Sequence, residues 1–227
     1  MKNSIEALEE LYNKAIDIYN HFGALPEKEI RRKHFEILAS QVVVSLTNLK
    51  INMKFALKDE KEFEAFFNDN KKMAEIYIHN FTQNIQENII EAAVFQTELV
   101  LRFLYAKLTG TDVGAEKNFY RIVATLFEDV ENNWTKDESK LIILLWTFRN
   151  TIHTGGIYFH KQAGDTIKYK GKDYVFEYGK APAFQADGHN LELVSYLLDA
   201  VKYAFETATT KSIPHFDHPA YAALGYA

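Results

Sequence analysis

Residues 89 to 104, Ile89-Ile90-Glu91-Ala92-Ala93-Val94-Phe95-Gln96-Thr97-Glu98-Leu99-Val100-Leu101-Arg102-Phe103-Leu104, constrain this chain more than any other segment. On the helix that this pattern predicts, apolar side chains occupy almost every face. No single neighbour can cover such an element, so it belongs at the centre of a bundle. A second run, Leu141-Ile142-Ile143-Leu144-Leu145-Trp146, makes the same demand and should pack against the first. Only four Pro and ten Gly occur in 227 residues, which leaves few places to turn and favours long helices. The expected fold class is therefore mostly all-α, an antiparallel helical bundle.

Other segments repeat apolar residues at helical spacing. Ile5, Leu8, Leu11, Tyr12, Ala15, Ile16, Ile18 and Tyr19 predict a helix over 4–22 that Gly23 ends. Pro26 opens the next helix, expected from Glu27 to about Lys58. Its first residues, Glu27-Lys28-Glu29-Ile30-Arg31-Arg32-Lys33-His34, read as a charged, solvated face or as a phosphate-steering patch. Residues 59–70 predict a short helix and a loop, and a long helix follows from Lys71 to Leu108, with a break near Asn84–Asn88. An amphipathic helix is expected over 115–130. Thr135 with Glu138 reads as a capping box that starts a helix ending at His153, where Gly155-Gly156 provides a left-handed stop. The period then falls to two. Thr166–Lys170 and Asp173–Tyr178 predict a β-hairpin near 166–178 turning at Gly171-Lys172, ahead of a last helix over 191–209. The organisation predicted is one domain, 1–227: an N-terminal helical extension over 1–80, a core bundle with the hairpin over 85–210, and a tail over 211–227.

The chemistry concentrates in Phe148-Arg149-Asn150-Thr151-Ile152-His153-Thr154-Gly155-Gly156. Arg149 and His153 are four residues apart and share a helix face about one turn from each other. A cation, an amide and an imidazole on one face suit phosphate chemistry. An arginine at the end of an apolar helix needs a partner, and Glu98, one of few charges in the central run, is the one the sequence offers. That pair either fixes helix packing or orients a phosphate-holding arginine. Tyr158 and His160 follow the glycines and either line the same cleft or fill the core. His215-Phe216-Asp217-His218 has metal-ligand residue types without the further spaced ligands a metal site requires, so no metal is expected.

Arg149-Asn150 followed by His153 resembles the signature of the HEPN superfamily, helical domains of prokaryotic defence, toxin and RNA-processing systems. Three residues separate Arg149 from His153 here, a closer spacing than is usual in that family. The resemblance covers roughly residues 85 to 210. It implies a homodimer with the two motifs facing across its seam, and metal-independent cleavage of RNA by attack of the ribose 2′-hydroxyl on its own phosphate. His153 would act as general base or acid and Arg149 would stabilise charge on the phosphorane, with Asn150 beside them. A protein partner such as an antitoxin fits the same picture. The rival reading is a non-catalytic helical scaffold, or an interaction or nucleotide-binding module, in which the same residues knit the bundle.

The net charge of −5 argues against a broad electropositive surface for duplex nucleic acid, though not against a focused basic cleft. With no Cys, disulfides and thiolate metal sites are excluded. P-loop, dinucleotide-binding, zincin and nucleophile-elbow motifs are absent. No cofactor is expected. No signal-peptide core or bilayer-length apolar run occurs, so a cytoplasmic location away from membranes is expected.

Overall fold

Thirty-nine consecutive residues without Pro or Gly form one unbroken helix, α4, Lys71–Thr109. The structure, a computed structural model, describes residues 2–58, 60–68, 70–182 and 190–219. Asn70 opens α4 by accepting a hydrogen bond from the Met73 amide at 3.2 Å. The break expected at Asn84–Asn88 is absent. Ile85, Ile89 and Ile90 are buried there, and their packing holds the turn that local sequence left ambiguous. At 1.5 Å per residue α4 runs about 58 Å.

Around α4 lie α1 (Lys2–His21), α2 (Ile30–Lys58), α3 (Glu60–Phe66), α5 (Phe119–Leu126), α6 (Asp137–His153), α7 (Asn190–Glu206) and the short α8 (Ala208–Lys211). The fold is mostly α-helical, as its periodicity predicted, with one small antiparallel hairpin. α4 packs against α2, α5, α6 and α7, while α1 packs against α2 and α7. Leu8, Leu11, Ala15 and Ile18 of α1 and Phe35, Leu38 and Val42 of α2 join the same apolar cluster as Ile90, Leu101, Leu144, Phe148, Leu197 and Val201. The central run and the motif helix do meet in that core.

Some local signals resolve differently. The Thr135–Glu138 capping box does not form. The Thr135 hydroxyl donates instead to the Asp129 carboxylate at 2.7 Å, and the same carboxylate takes the backbone amides of Val130, Thr135 and Lys136. Although burial opposes it, this convergence of donors holds the Asp129 carboxyl well below the usual range. The helix expected over 115–130 is only Phe119–Leu126, because Asn118 caps it late by accepting from the Tyr120 amide. The last helix stops at Glu206, where Thr207 turns the chain and caps α8.

The hairpin pairs β1 (Asp165–Tyr169) with β2 (Lys172–Phe176). Its turn is Lys170-Gly171, one residue earlier than expected. Both turn residues have positive φ, 47° and 75°, as a tight primed turn requires. Ile167, Tyr169, Tyr174 and Phe176 face the core.

The described part of the expected tail, 212–219, is strapped to the start of α2. The Ile30 amide donates to the Phe216 carbonyl at 3.1 Å and the His218 amide to the Lys28 carbonyl at 2.8 Å. Residues 220–227 of that tail lie outside the described residues. The strap also corrects the reading of Glu27–His34 as a solvated face. Glu29, Arg31 and His34 are buried, with Arg31 Nε 2.7 Å from Glu29 Oε1 and its Nη1 donating to the Thr210 carbonyl. No helix among the described residues is long and apolar enough to cross a membrane.

Candidate functional site

α6 enters from Asp129 and runs through Leu141–Leu145 and Phe148, all buried against α4 and α7. That burial fixes its rotation and puts Trp146, Arg149, Asn150 and His153 at the edge of the α4–α6 contact, where each is only partly covered or exposed. The stop predicted at Gly155-Gly156 is present. Their φ values are 73° and 81°, and the Gly156 amide donates to the Thr151 carbonyl at 2.8 Å.

Glu98 on α4 is the hub. Its Oε1 accepts from Arg102 Nε at 2.8 Å, and Arg102 Nη2 lies at the same distance. Its Oε2 accepts from the Trp146 indole N–H at 3.2 Å. Arg149 Nη1 stands 3.7 Å from Oε2, so the pair anticipated from sequence exists, as the loosest of the carboxylate's contacts. It is also less enclosed than expected, with the Arg149 and Glu98 side chains 20% and 15% exposed. Two guanidinium groups thus share one carboxylate, with Arg149 the more weakly held of the two. Arg149 Nη1 further donates to the Asn150 side-chain oxygen at 3.3 Å, and its guanidinium carbon lies 5.9 Å from the centre of the exposed Phe95 ring.

One turn further along α6, the His153 side chain is 48% exposed, with Nε2 3.8 Å from Glu91 Oε1. Arg149, Asn150 and His153 therefore share a surface with Glu91, Phe95 and Glu98 of α4. Comparison with protein-family models, curated proteins and solved structures found no match to this chain.

Tyr158 and His160 belong to the other side of Trp146. The chain after the glycines pairs with residues beyond the hairpin: the Tyr158 amide donates to the Lys180 carbonyl at 3.0 Å, and Gly179 returns a bond at 2.8 Å. Tyr158 is buried and its ring packs 5.3 Å from Phe176. Burial, then the nearby Asp165 and Tyr120, pushes its phenol up to about 12, so it stays neutral. His160 is exposed and sits edge-on to Trp146 at 6.1 Å. His160 thus meets the motif helix at Trp146, whereas Tyr158 packs on the hairpin, and neither has a recorded contact with Arg149, Asn150 or His153. His215 and Asp217 lie on the strap over the start of α2, and among the described residues no group of three or more His, Asp or Glu is placed to hold a metal.

Glu91, Phe95, Arg102 and Trp146 were not singled out by sequence reasoning. The signal was present: positions 91, 95, 98 and 102 lie on one side of α4, and asking which residues flank Glu98 on that face would have found them.

Proposed function

We propose that this chain is a HEPN-like, metal-independent endoribonuclease of a prokaryotic defence or toxin system. The observation that carries the reading is the solvent-accessible His153 standing one turn from an arginine that is only third in line for its carboxylate. Glu98 already takes two contacts from Arg102 and one from Trp146, so a phosphate can recruit Arg149 without leaving a buried charge unpaired. In the cleavage, His153 takes the proton from the ribose 2′-hydroxyl or delivers one to the leaving 5′-oxygen, and a second imidazole across a dimer seam supplies the complementary step. Arg149 offers a planar fork to the developing phosphorane charge, and Asn150 holds that fork from the side.

A scaffold reading is supported by a separate observation: donors from both α4 and α6 converge on Glu98 and tie the two helices together. The two readings part in one assay. Purified protein is incubated with single-stranded and hairpin RNA in EDTA, beside His153→Ala and Arg149→Lys. The nuclease reading expects products ending in 2′,3′-cyclic phosphate, loss of cleavage in His153→Ala, and little rescue by the lysine. Cleavage that persists unchanged in His153→Ala, or a wild-type protein inert toward varied RNAs, replaces it with the scaffold.

A further inference from the structure

Two donors of unequal reach compete for one oxygen of Glu98. The Trp146 indole N–H donates to Oε2 at 3.2 Å, and Arg149 Nη1 stands 3.7 Å from the same atom. Both donors lie on α6, three residues apart and therefore on one face. They differ in how firmly they are held. The Trp146 ring stacks on Phe119 at 5.2 Å and meets Tyr120 and His160 edge-on at 5.6 and 6.1 Å. Those rings, from α5 and from the segment after the glycines, aim its N–H at Glu98. Arg149 has no such walls. Among the described residues its other polar and ring contacts are the Asn150 side-chain oxygen at 3.3 Å and the exposed Phe95 ring at 5.9 Å. The second carboxylate oxygen is already taken. Arg102 Nε donates to Oε1 at 2.8 Å, and Arg102 is itself anchored to the Glu116 carbonyl at 2.9 Å.

We propose that Trp146 is a positioning residue, whose indole N–H holds Arg149 off a close pair with Glu98 and so keeps the guanidinium fork available to an RNA phosphate. The identity of the anion rests on the nuclease reading; the competition for Oε2 does not. An oxygen that accepts one good hydrogen bond has one lone-pair direction filled and offers less charge to the next donor. Without the indole N–H, Arg149 is the donor left on α6 for Oε2, and rotation of its long side chain brings it to the about 2.8 Å of a charge-assisted bond. An incoming phosphate would then have to break that pair first. For a pair this close to solvent the penalty is roughly two- to fivefold in affinity.

Trp146→Phe is the deciding variant, because it removes the donor, keeps an aromatic ring beside Phe119 and Tyr120, and changes no charge. The first readout is urea unfolding of Arg149→Ala, Glu98→Gln and their combination, in the wild-type and Trp146→Phe backgrounds. The Arg149–Glu98 coupling, as a ratio of unfolding constants, should rise roughly two- to fivefold when the N–H is gone. A Trp146 that only packs would lower stability without strengthening that coupling. The second readout is anisotropy of a short labelled 2′-O-methyl RNA, which keeps its phosphates and resists cleavage. Its Kd should weaken roughly two- to fivefold in Trp146→Phe, and Glu98→Gln combined with Trp146→Phe should remove that loss. Coupling that stays level or falls overturns the proposal whatever the RNA does, and so does an RNA loss that Glu98→Gln fails to suppress. Stronger coupling beside a wild type that binds no RNA upholds the competition and overturns the nuclease reading instead.

Discussion

Removing the Glu98 carboxylate separates the structural role of the α4–α6 contact from its chemical one. Glu98→Ala deletes the acceptor for the Trp146 indole N–H, a part-buried donor, and stranding such a group costs about 1–3 kcal/mol. Arg102 also loses its i,i+4 partner but keeps the Glu116 carbonyl at 2.9 Å and the Phe119 ring at 5.4 Å. Its share is the smaller one, about 1 kcal/mol, because pairs this close to solvent are screened. Arg149, at 3.7 Å, adds a fraction of that. The expected loss is about 2–4 kcal/mol, below the roughly 3–5 kcal/mol of a fully sealed ion pair broken on one side. For a chain of this size that corresponds to a fall of about 5–15 °C in Tm. The assay is urea and thermal unfolding of Glu98→Ala beside Arg149→Ala, which should lose about 1 kcal/mol or less because Glu98 retains Arg102 and Trp146. Equal destabilisation by the two substitutions would refute the ordering of contacts around Glu98 and make Arg149 a packing residue.

Two further outcomes follow from the rest of the fold. Burial, aided by the neighbouring His218, pushes the His34 imidazole down to about 3, and neither ring nitrogen has a hydrogen-bond partner among the described residues. The folded state therefore holds fewer protons than the unfolded one between about pH 6.5 and that value. The stability is fully present above the unfolded value and erodes as pH falls through this window. The urea midpoint should drop from pH 7.5 to pH 5, and less so in His34→Phe; identical drops would exclude the histidine as the cause. At the hairpin entry, Gly164 has φ of 74°, and a Cβ there would meet the Phe176 carbonyl oxygen at 2.7 Å. Gly164→Ala should cost about 1–3 kcal/mol by thermal melt, and an unshifted Tm would count against the strand geometry.

The long elements were legible because burial imposes a period that sequence displays directly. α1, α2, α4, α6 and α7 were all anticipated, and the hairpin was displaced at its turn by a single residue. What misled was local chemistry with a remote competitor. Thr135 could have capped α6, but the Asp129 carboxylate, six residues back, is the stronger acceptor for its hydroxyl. Two asparagines suggested a break in α4, and tertiary packing around Ile85 and Ile89 overrode them. Glu29, Arg31 and His34 looked like a wet face because nothing local announces that a strap from residues 213–218 will cover them. At the site, the Arg149–Glu98 proximity was readable from charge scarcity in an apolar run. The rank order of partners was not, since it depends on which rotation α4 takes against α6.

The pairing of α1 with α7 sets a schedule for synthesis. Lys14 bonds to Asp199 across 185 residues of chain, and His21 reaches Glu206 over the same span. At about 5–20 residues per second, the first helix waits roughly 10–40 s for the helix that completes its cover. Through that interval Leu8, Leu11, Ala15 and Ile18 have only α2 and the nascent α4 to shield them. The nascent chain thus shows an apolar ridge to the crowded space outside the ribosome until its last large helix has emerged. A stalled or prematurely terminated product would differ from the finished one by a permanently open core, which marks it for capture by chaperones and proteases.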